Sequence, residues 1–274
     1  MTGLWSTHTI EIQPDQVIKR FRSRDRGEPD REWRALQLLS QYAAGLAPHP
    51  LHVDLDADPA VVVMSRLPGM PLRGTQVTAE QLTALRHALT TVYTSIPAAV
   101  VHAQPPRHGH ASELVDLLRA WCRTPPRGPA VVRTAFAEGS RWLDTCGDAI
   151  ASADVVPVFG LGDGNLANAL WDGSRVRMLD FEESGRSDRA FELAEMAEHV
   201  SAWVDTDFDV SAFLKEFELT SAETTRLREC RRLFALMWLI MLARDDPANP
   251  RNPSGTTERQ AHRLLAALDE MNDA

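Results

Sequence analysis

One β-hairpin pattern standing alone among helices constrains this chain more than any other feature. Asn168-Ala169-Leu170-Trp171 and the run from Val176 to Leu179 are joined through Asp172-Gly173, the composition of a hairpin turn. Asp163 stands five residues before Asn168, and Asp180 directly follows the returning strand. Around the hairpin the apolar spacing is helical. A capping box over Thr78 to Gln81 opens a stripe of Leu82, Leu85, Leu89, Val92 and Ile96. Leu114, Leu117, Leu118 and Trp121 form the next stripe, residues 130–152 read as helix, and Val155 to Phe159 as a strand. Leu193, Met196, Val200 and Val204 return to helical spacing. Leu233 to Ala243 reads as a buried helix, residues 245–255 as a loop, and a last helix carries Leu264, Leu265, Leu268 and Met271. The N-terminal third is built differently. HTIEIQ and QVIKRF flank Pro14-Asp15 as two strands. A helix is predicted from Asp30, taken as its N-cap, to Tyr42. Val61 to Met64 is a buried strand closed by Leu67-Pro68-Gly69.

Charge is unevenly divided between these parts. The 274 residues carry 29 basic and 38 acidic side chains, yet residues 1–100 carry ten of each, so the whole net charge of −9 falls in the helical remainder. Such a field lacks the basic footprint that nucleic acid requires. It suits a cationic small molecule as well as it suits plain solubility. Cys122, Cys146 and Cys230 are too few and too scattered for a disulfide framework or a zinc site. The N-terminus has no signal-peptide pattern, and the longest apolar run is about half of the ~20 residues that a membrane span needs. A cytoplasmic location and no membrane partner are expected.

Asp163, Asn168 and Asp180 are the residue types that phosphoryl transfer uses. A loop Asp accepts the proton of the attacking hydroxyl, while an Asn and an Asp hold magnesium against the triphosphate. Such chemistry also needs a strand Lys on the phosphates and a helix Glu to orient it. Lys19, one of two lysines, lies in QVIKRF, and Glu32 follows 13 residues later. Each has a plainer reading. Asp163 and Asn168 could satisfy a turn, Lys19 could guard a sheet edge, and Glu32 could complement a helix dipole. All four in this order are harder to explain that way.

From these residues onward the chain resembles the aminoglycoside phosphotransferase family of small-molecule kinases, relatives of the choline and homoserine kinases that share the protein-kinase-like fold. The family loop H-G-D-x4-N stands here as Leu161-Gly162-Asp163 to Asn168. LDFEESGRSDRAFELA, Leu179 to Ala194, resembles its D, then S-G-R-x-D, then D/E-L-A pattern, the most specific match in the chain. REWRALQLL, Ala47-Pro48 and VMSRLPGMPL resemble its helix, connector and hinge, so the likeness spans residues 5 to about 205. The resemblance implies Asp163 as catalytic base and Asn168 and Asp180 as magnesium ligands. It implies Lys19 on the phosphates, held by Glu32, and adenine against the backbone of Met64, Ser65 and Leu67. The turn Trp5 to His8 would cover the phosphates with Ser6 and Thr7 as donors. Leu161 departs from the family histidine, which supports loop geometry, and Asn165 offers no cation to the γ-phosphate.

Two rivals are set against this. Gly160, Gly162 and Gly164 after a strand suggest a dinucleotide fingerprint, but the third glycine is one position out and Trp171-Asp172-Gly173 interrupts the helix it needs. A non-catalytic kinase-like binding protein is the other, kept open by Leu161. Histidines 49, 52, 102, 108 and 110 read as loop or surface residues, and Trp121, Trp142 and Trp238 as core. The expectation is an α+β, two-lobed protein-kinase-like fold, with an N-lobe over residues 1–66 and a helical C-lobe over 67–274. The expected activity is transfer of the γ-phosphate of ATP, or of GTP, to a hydroxyl of an aminoglycoside or other amine-bearing antibiotic. Amino alcohols and sugars are the alternative acceptors. Glu183, Asp205 and Asp207, with Asp209 beside them, are the candidates for the acceptor side, and a monomer or homodimer is expected.

Overall fold

The computed structural model describes residues 8–246 and 248–269. The chain opens with β1 (Thr9–Ile12) and β2 (Gln16–Phe21), followed by α1 (Glu28–Tyr42), β3 (Pro50–Asp54), β4 (Ala60–Ser65) and β5 (Met70–Pro71). Helices then take over with α2 (Ala79–Ser95), α3 (Ala98–His102), α4 (Ala111–Cys122) and α5 (Ala130–Ala151). After β6 (Pro157–Gly160) comes the hairpin β7 (Ala169–Trp171) and β8 (Val176–Met178), then β9 (Gly185–Asp188) and α6 (Arg189–Glu198). The chain continues through α7 (Val210–Lys215), α8 (Ser221–Ala243) and α9 (Thr256–Asp269). The expected α+β architecture is observed: a small antiparallel sheet with one helix, joined to a helical part that contains a separate hairpin.

The first sheet runs β1-β2-β4-β3, all antiparallel, and α1 lies against it. Alternation along β2 buries Lys19 and Phe21 on the same face, with the Lys19 ammonium 4.8 Å from the Phe21 ring centroid. The buried stripe of α1 is Glu28, Glu32, Ala35, Leu36 and Leu39, so the helical period that packs Leu36 and Leu39 also turns Glu32 inward. The helix starts earlier than expected. Its N-cap is Gly27 in the left-handed region, with Pro29 in the first turn, and Asp30 is an exposed residue inside the helix. Proline is favoured there because its missing N–H would have no helical partner.

In the helical part, α6 is buried on every side and packs on α8, as a helix at the centre of a core must. The hairpin loop has four residues rather than two. Trp171 pairs with Val176, and the Asp172 carboxylate collects the N–H groups of Ser174 and Arg175. Strand β5 pairs with β7, tying the linker after β4 to the hairpin. The segment Gly185–Asp188 is strand rather than loop and pairs with β6 along its length. No helix among the described residues is long and apolar enough to cross a membrane.

Candidate active site

The hairpin ladder puts two of the predicted residues side by side. Ala169 pairs with Met178 and the Leu179 N–H donates to the Asn168 carbonyl, so Asn168 and Asp180 share the open end of the hairpin. Asp180 has φ 62°, the only non-glycine among the described residues in the left-handed region. That conformation costs of order 1–3 kcal/mol and recurs where a side chain must be aimed. Leading in from β6, the loop returns Asp163 to the same place. Its Oδ2 accepts from Asn168 Nδ2 at 3.0 Å and its Oδ1 from the Asn165 N–H at 3.0 Å. A third of the Asp163 side chain meets solvent. Even so, enclosure by the protein, followed by the charge of Asp180, pushes its pKa up to about 6.

Lys19 approaches from the sheet. Its Nζ lies 3.2 Å from Glu32, 2.5 Å from Asp180 and 2.6 Å from Glu182. Burial works against the ammonium, but the three carboxylates outweigh it and raise its pKa, so Lys19 is charged. Glu32 is pushed the other way, up to about 7, by its own burial and then by the neighbouring acids. Glu32 serves both parts of the molecule: its Oε2 also accepts the Phe181 N–H at 2.8 Å. The sequence pairing of Lys19 with Glu32 is therefore observed, together with a carboxylate that was not anticipated. Glu182 pairs with Lys19 and with His8 Nε2 at 2.8 Å. Burial opposes its charge, but these two partners outweigh it and bring its pKa down to about 2. No periodicity in the sequence pointed to Glu182, because Asp180 is left-handed at φ 62° and Glu182 sits in a turn rather than a strand.

A buried ionic cluster carries the loop from beneath. Glu192 Oε2 accepts the N–H of Leu161 at 2.8 Å, and Arg107, from the link between α3 and α4, reaches Glu192, Glu195 and the Gly162 carbonyl at 2.8 Å. The glutamate of the D/E-L-A pattern is thus the fixture of the loop, while Leu161 fills core beside it. Asp188 of the S-G-R-x-D pattern caps α6 through the Phe191 N–H and pairs with Arg226 at 3.0 Å. The three glycines read against a dinucleotide fingerprint have a packing role. A Cβ at Gly160, Gly162 or Gly164 would stand 2.4 Å from Glu192 Oε1, 2.4 Å from the Glu183 backbone and 2.7 Å from the Glu195 backbone. Gly160 and Gly164 let the loop lie against α6, and Gly162 lets it pass the backbone of Glu183, so local packing accounts for all three.

The remaining candidates are scattered. Met64 and Ser65 end β4, where the Ser65 N–H donates to the His49 carbonyl, and Leu67 lies in the link to β5. Ser6 and Thr7 fall outside the described residues. His8 is tied down: it packs on Phe21 and its Nδ1 accepts the Arg22 N–H. Glu183 is paired with Arg26 at 2.7 Å, and burial raises its pKa to about 7. Asp205 pairs with Arg73, the Asp207 backbone bridges to Thr75 and Val77, and Asp209 caps α7. Asp205 and Asp209 thus have local partners, while the Asp207 side chain is exposed. Of the histidines read as loop or surface residues, His52 lies in β3 and His102 ends α3, and both are exposed. His199, not considered in the sequence, is buried 3.5 Å from Asp163. Its signal was weak, a lone histidine at the end of an apolar helical stripe.

The donor set suits a hard divalent cation. The amide nitrogen of Asn168 is spent on Asp163, which leaves its oxygen as the donor for a cation, and oxygen donors are what magnesium takes. Glu32, Asp180 and Glu182 present oxygens within 4.8 Å of one another around one ammonium. A pocket this acidic repels a polyphosphate unless cations enter with it.

A family model described as a phosphotransferase enzyme family matches residues 2–230. No curated protein matches the chain in sequence. Among solved structures, a choline/ethanolamine kinase family protein from Mesorhizobium loti is similar at 18% identity and TM-score 0.67, over 95% of this chain and 84% of that one. A choline kinase from Streptococcus pneumoniae is similar at 13% and 0.64, over 98% and 92%. An aminoglycoside phosphotransferase from Streptomyces rimosus, in complex with ADP and streptomycin, is similar at 16% and 0.56, over 82% and 86%. At these identities the likeness establishes the two-lobed kinase-like fold.

Proposed function

The chain belongs to the phosphotransferase enzyme family, and from there we propose that it moves the γ-phosphoryl group of ATP onto a hydroxyl of an amine-bearing small molecule, an aminoglycoside-type antibiotic being the preferred class. One observation carries the reading: Lys19, Glu32 and Asp180 meet by ion pairing across the two parts of the chain, beside Asp163 and Asn168. In this reading Lys19 contacts the phosphates and Glu32 keeps its ammonium in place. Asp163 orients the acceptor hydroxyl and takes its proton as the oxygen bonds to the γ-phosphorus, and ADP leaves. Asn168 and Asp180 would hold magnesium, which when bound offsets the charge of the triphosphate. Adenine lies against the backbone from Met64 to Leu67, at the end of β4. With Asp180 engaged by magnesium and Lys19, Asp163 is the accessible carboxylate beside the acceptor hydroxyl, and it favours an ammonium on the acceptor.

Amino alcohols are the second reading, favoured by the structures of choline-kinase type among the similar folds. The test is magnesium-dependent ATP consumption against aminoglycosides, spectinomycin-like aminocyclitols, cyclic-peptide antibiotics, amino alcohols and neutral sugars, with mass detection of the phosphorylated product. Turnover with an amine-bearing antibiotic is expected. Turnover confined to amino alcohols replaces the preferred class with the second, and turnover confined to neutral sugars overturns the amine requirement.

A further inference from the structure

His199 ends α6, and its ring reaches the reacting carboxylate, with Nε2 3.5 Å from Asp163 Oδ1. The other nitrogen settles where the ring proton lies. The backbone N–H of Ser201 can only donate, and it stands 3.0 Å from Nδ1, so Nδ1 accepts and Nε2 carries the hydrogen. The Ser201 hydroxyl is 2.7 Å from the same Nδ1 and also accepts the Leu166 N–H at 3.0 Å, inside the loop that bears Asp163. Trp238 meets the ring edge-on, with centroids 4.7 Å apart. Burial, and then the charge of Arg73, bring the pKa of His199 down to about 3, so the ring is neutral. Tautomer, plane and position are all set by contacts other than the one to Asp163.

We propose that His199 is a positioning residue for the transfer reaction, its Nε2–H donating to Asp163 Oδ1 and holding that carboxylate toward the acceptor. This rests on the phosphotransferase reading above. Among the described residues Asp163 otherwise has one side-chain donor, Asn168, whose amide also serves the metal. A neutral N–H from beneath restrains the carboxylate without adding a charge to the acceptor site. At 3.5 Å the contact is longer than a formed hydrogen bond, and contacts of this kind tighten when substrates close on them. Position 161, where the family histidine stands, holds a buried leucine, so in this chain the imidazole beside the loop comes from the far end of α6.

Two measurements test it. Nitrogen-15 NMR of histidine-labelled protein should show one ring locked with hydrogen on Nε2, whose resonance moves in Asp163→Asn and disappears in His199→Phe. A ring with hydrogen on Nδ1, or one that ignores Asp163→Asn, overturns the contact. In magnesium-dependent ATP turnover, His199→Phe keeps an aromatic ring against Trp238 and should lower kcat about 10- to 100-fold, the usual range for a partner of a reacting group. KM for ATP should stay within about twofold, and His199→Gln, which restores an N–H, should recover most of kcat. Wild-type kcat in a folded His199→Phe protein overturns the role, as does a loss confined to KM or one shared equally by Phe and Gln. A wild-type protein that consumes no ATP overturns the functional reading and the kinetic role with it, while the NMR result still decides the contact.

Discussion

Replacing Arg107 with Met keeps the length of the side chain and removes the charge on which the loop cluster depends. Arg107 is 3% exposed, and its guanidinium is shared between Glu192 at 2.9 Å, Glu195 and the Gly162 carbonyl at 2.8 Å. Removing one partner of a buried pair costs about 3–5 kcal/mol, because the remaining charge has neither water nor counter-ion. Here two carboxylates and a carbonyl are left, so the upper part of that range is expected. At about 2–4 °C per kcal/mol for a chain of this size, the thermal midpoint should fall by roughly 8–20 °C. The sign with pH follows from Glu195, whose pKa burial already raises to about 7 with Arg107 beside it. Without Arg107 it rises further. A carboxyl with a folded pKa above its unfolded value binds its proton first in the folded state, so stability returns as pH falls between the two. The deficit should be largest above about pH 8 and shrink toward about pH 5. Adding Glu195→Gln to the Arg107→Met variant should recover part of it. Melting curves across pH for wild type, Arg107→Met and the double variant decide the matter. A midpoint drop below about 2 °C, or a deficit that ignores pH, refutes the claim that this cluster is charged and paired.

Asp163→Asn should lower kcat by about 10²- to 10⁴-fold with ATP affinity little changed, as expected for loss of a proton acceptor; calorimetric ATP binding beside steady-state rates checks it. Lys19→Met leaves Glu32, Asp180 and Glu182 facing one another, so it should destabilise the protein by about 3–5 kcal/mol. Its melting midpoint should then rise more steeply with added magnesium than that of the wild type, since a divalent cation that binds only the folded state stabilises it. Gly162 has φ 89°, and a Cβ there would stand 2.4 Å from the Glu183 backbone. Gly162→Ala should therefore cost about 1–3 kcal/mol and displace Asp163, read as a loss of kcat beyond any loss of folded protein.

What could be read from the sequence follows a physical rule: contacts made by short-range periodicity were visible, and those made by long-range closure were not. The strand run QVIKRF and the helix after it were legible, and alternation in the one and the helical period of the other account for Lys19 and Glu32 facing inward. The spacing from Asp163 to Asn168 and the hairpin before Asp180 likewise needed only local rules. Arg107 could not be found this way. It lies in a Pro- and His-containing link, and its partners are 85 and 88 residues away. Strand β9 was missed because GRSD has no β-forming pattern; pairing with β6 makes it a strand. Asp30 was taken as the cap because its side chain suits that role, but Gly27 adopts the left-handed conformation two residues before Pro29, and that backbone choice starts α1 earlier.

The same contrast bears on the charge of the helical part and hence on the acceptor. Net charge says how many acids there are, whereas a ligand meets only those left without partners. Glu192 and Glu195 are matched by Arg107, Asp188 by Arg226, and Glu198 by Arg231 and Arg263, so these deeply placed acids project little field into the cleft. Asp205 and Glu223 are matched at the surface by Arg73 and Arg189, and Asp209 is a helix cap. The cleft retains Asp163, unpaired with any cation at hydrogen-bond range, and Asp180 and Glu182, which share Lys19 with Glu32. Once a nucleotide and its cations engage Lys19 and Asp180, Asp163 is the carboxylate left for the acceptor. Preference for an amine on that acceptor therefore rests on Asp163 and its immediate neighbours rather than on the −9 of the whole chain. It follows that neutralising exposed surface acids such as Asp144 and Asp148 should leave acceptor selectivity unchanged, while Asp163→Asn should remove it along with turnover.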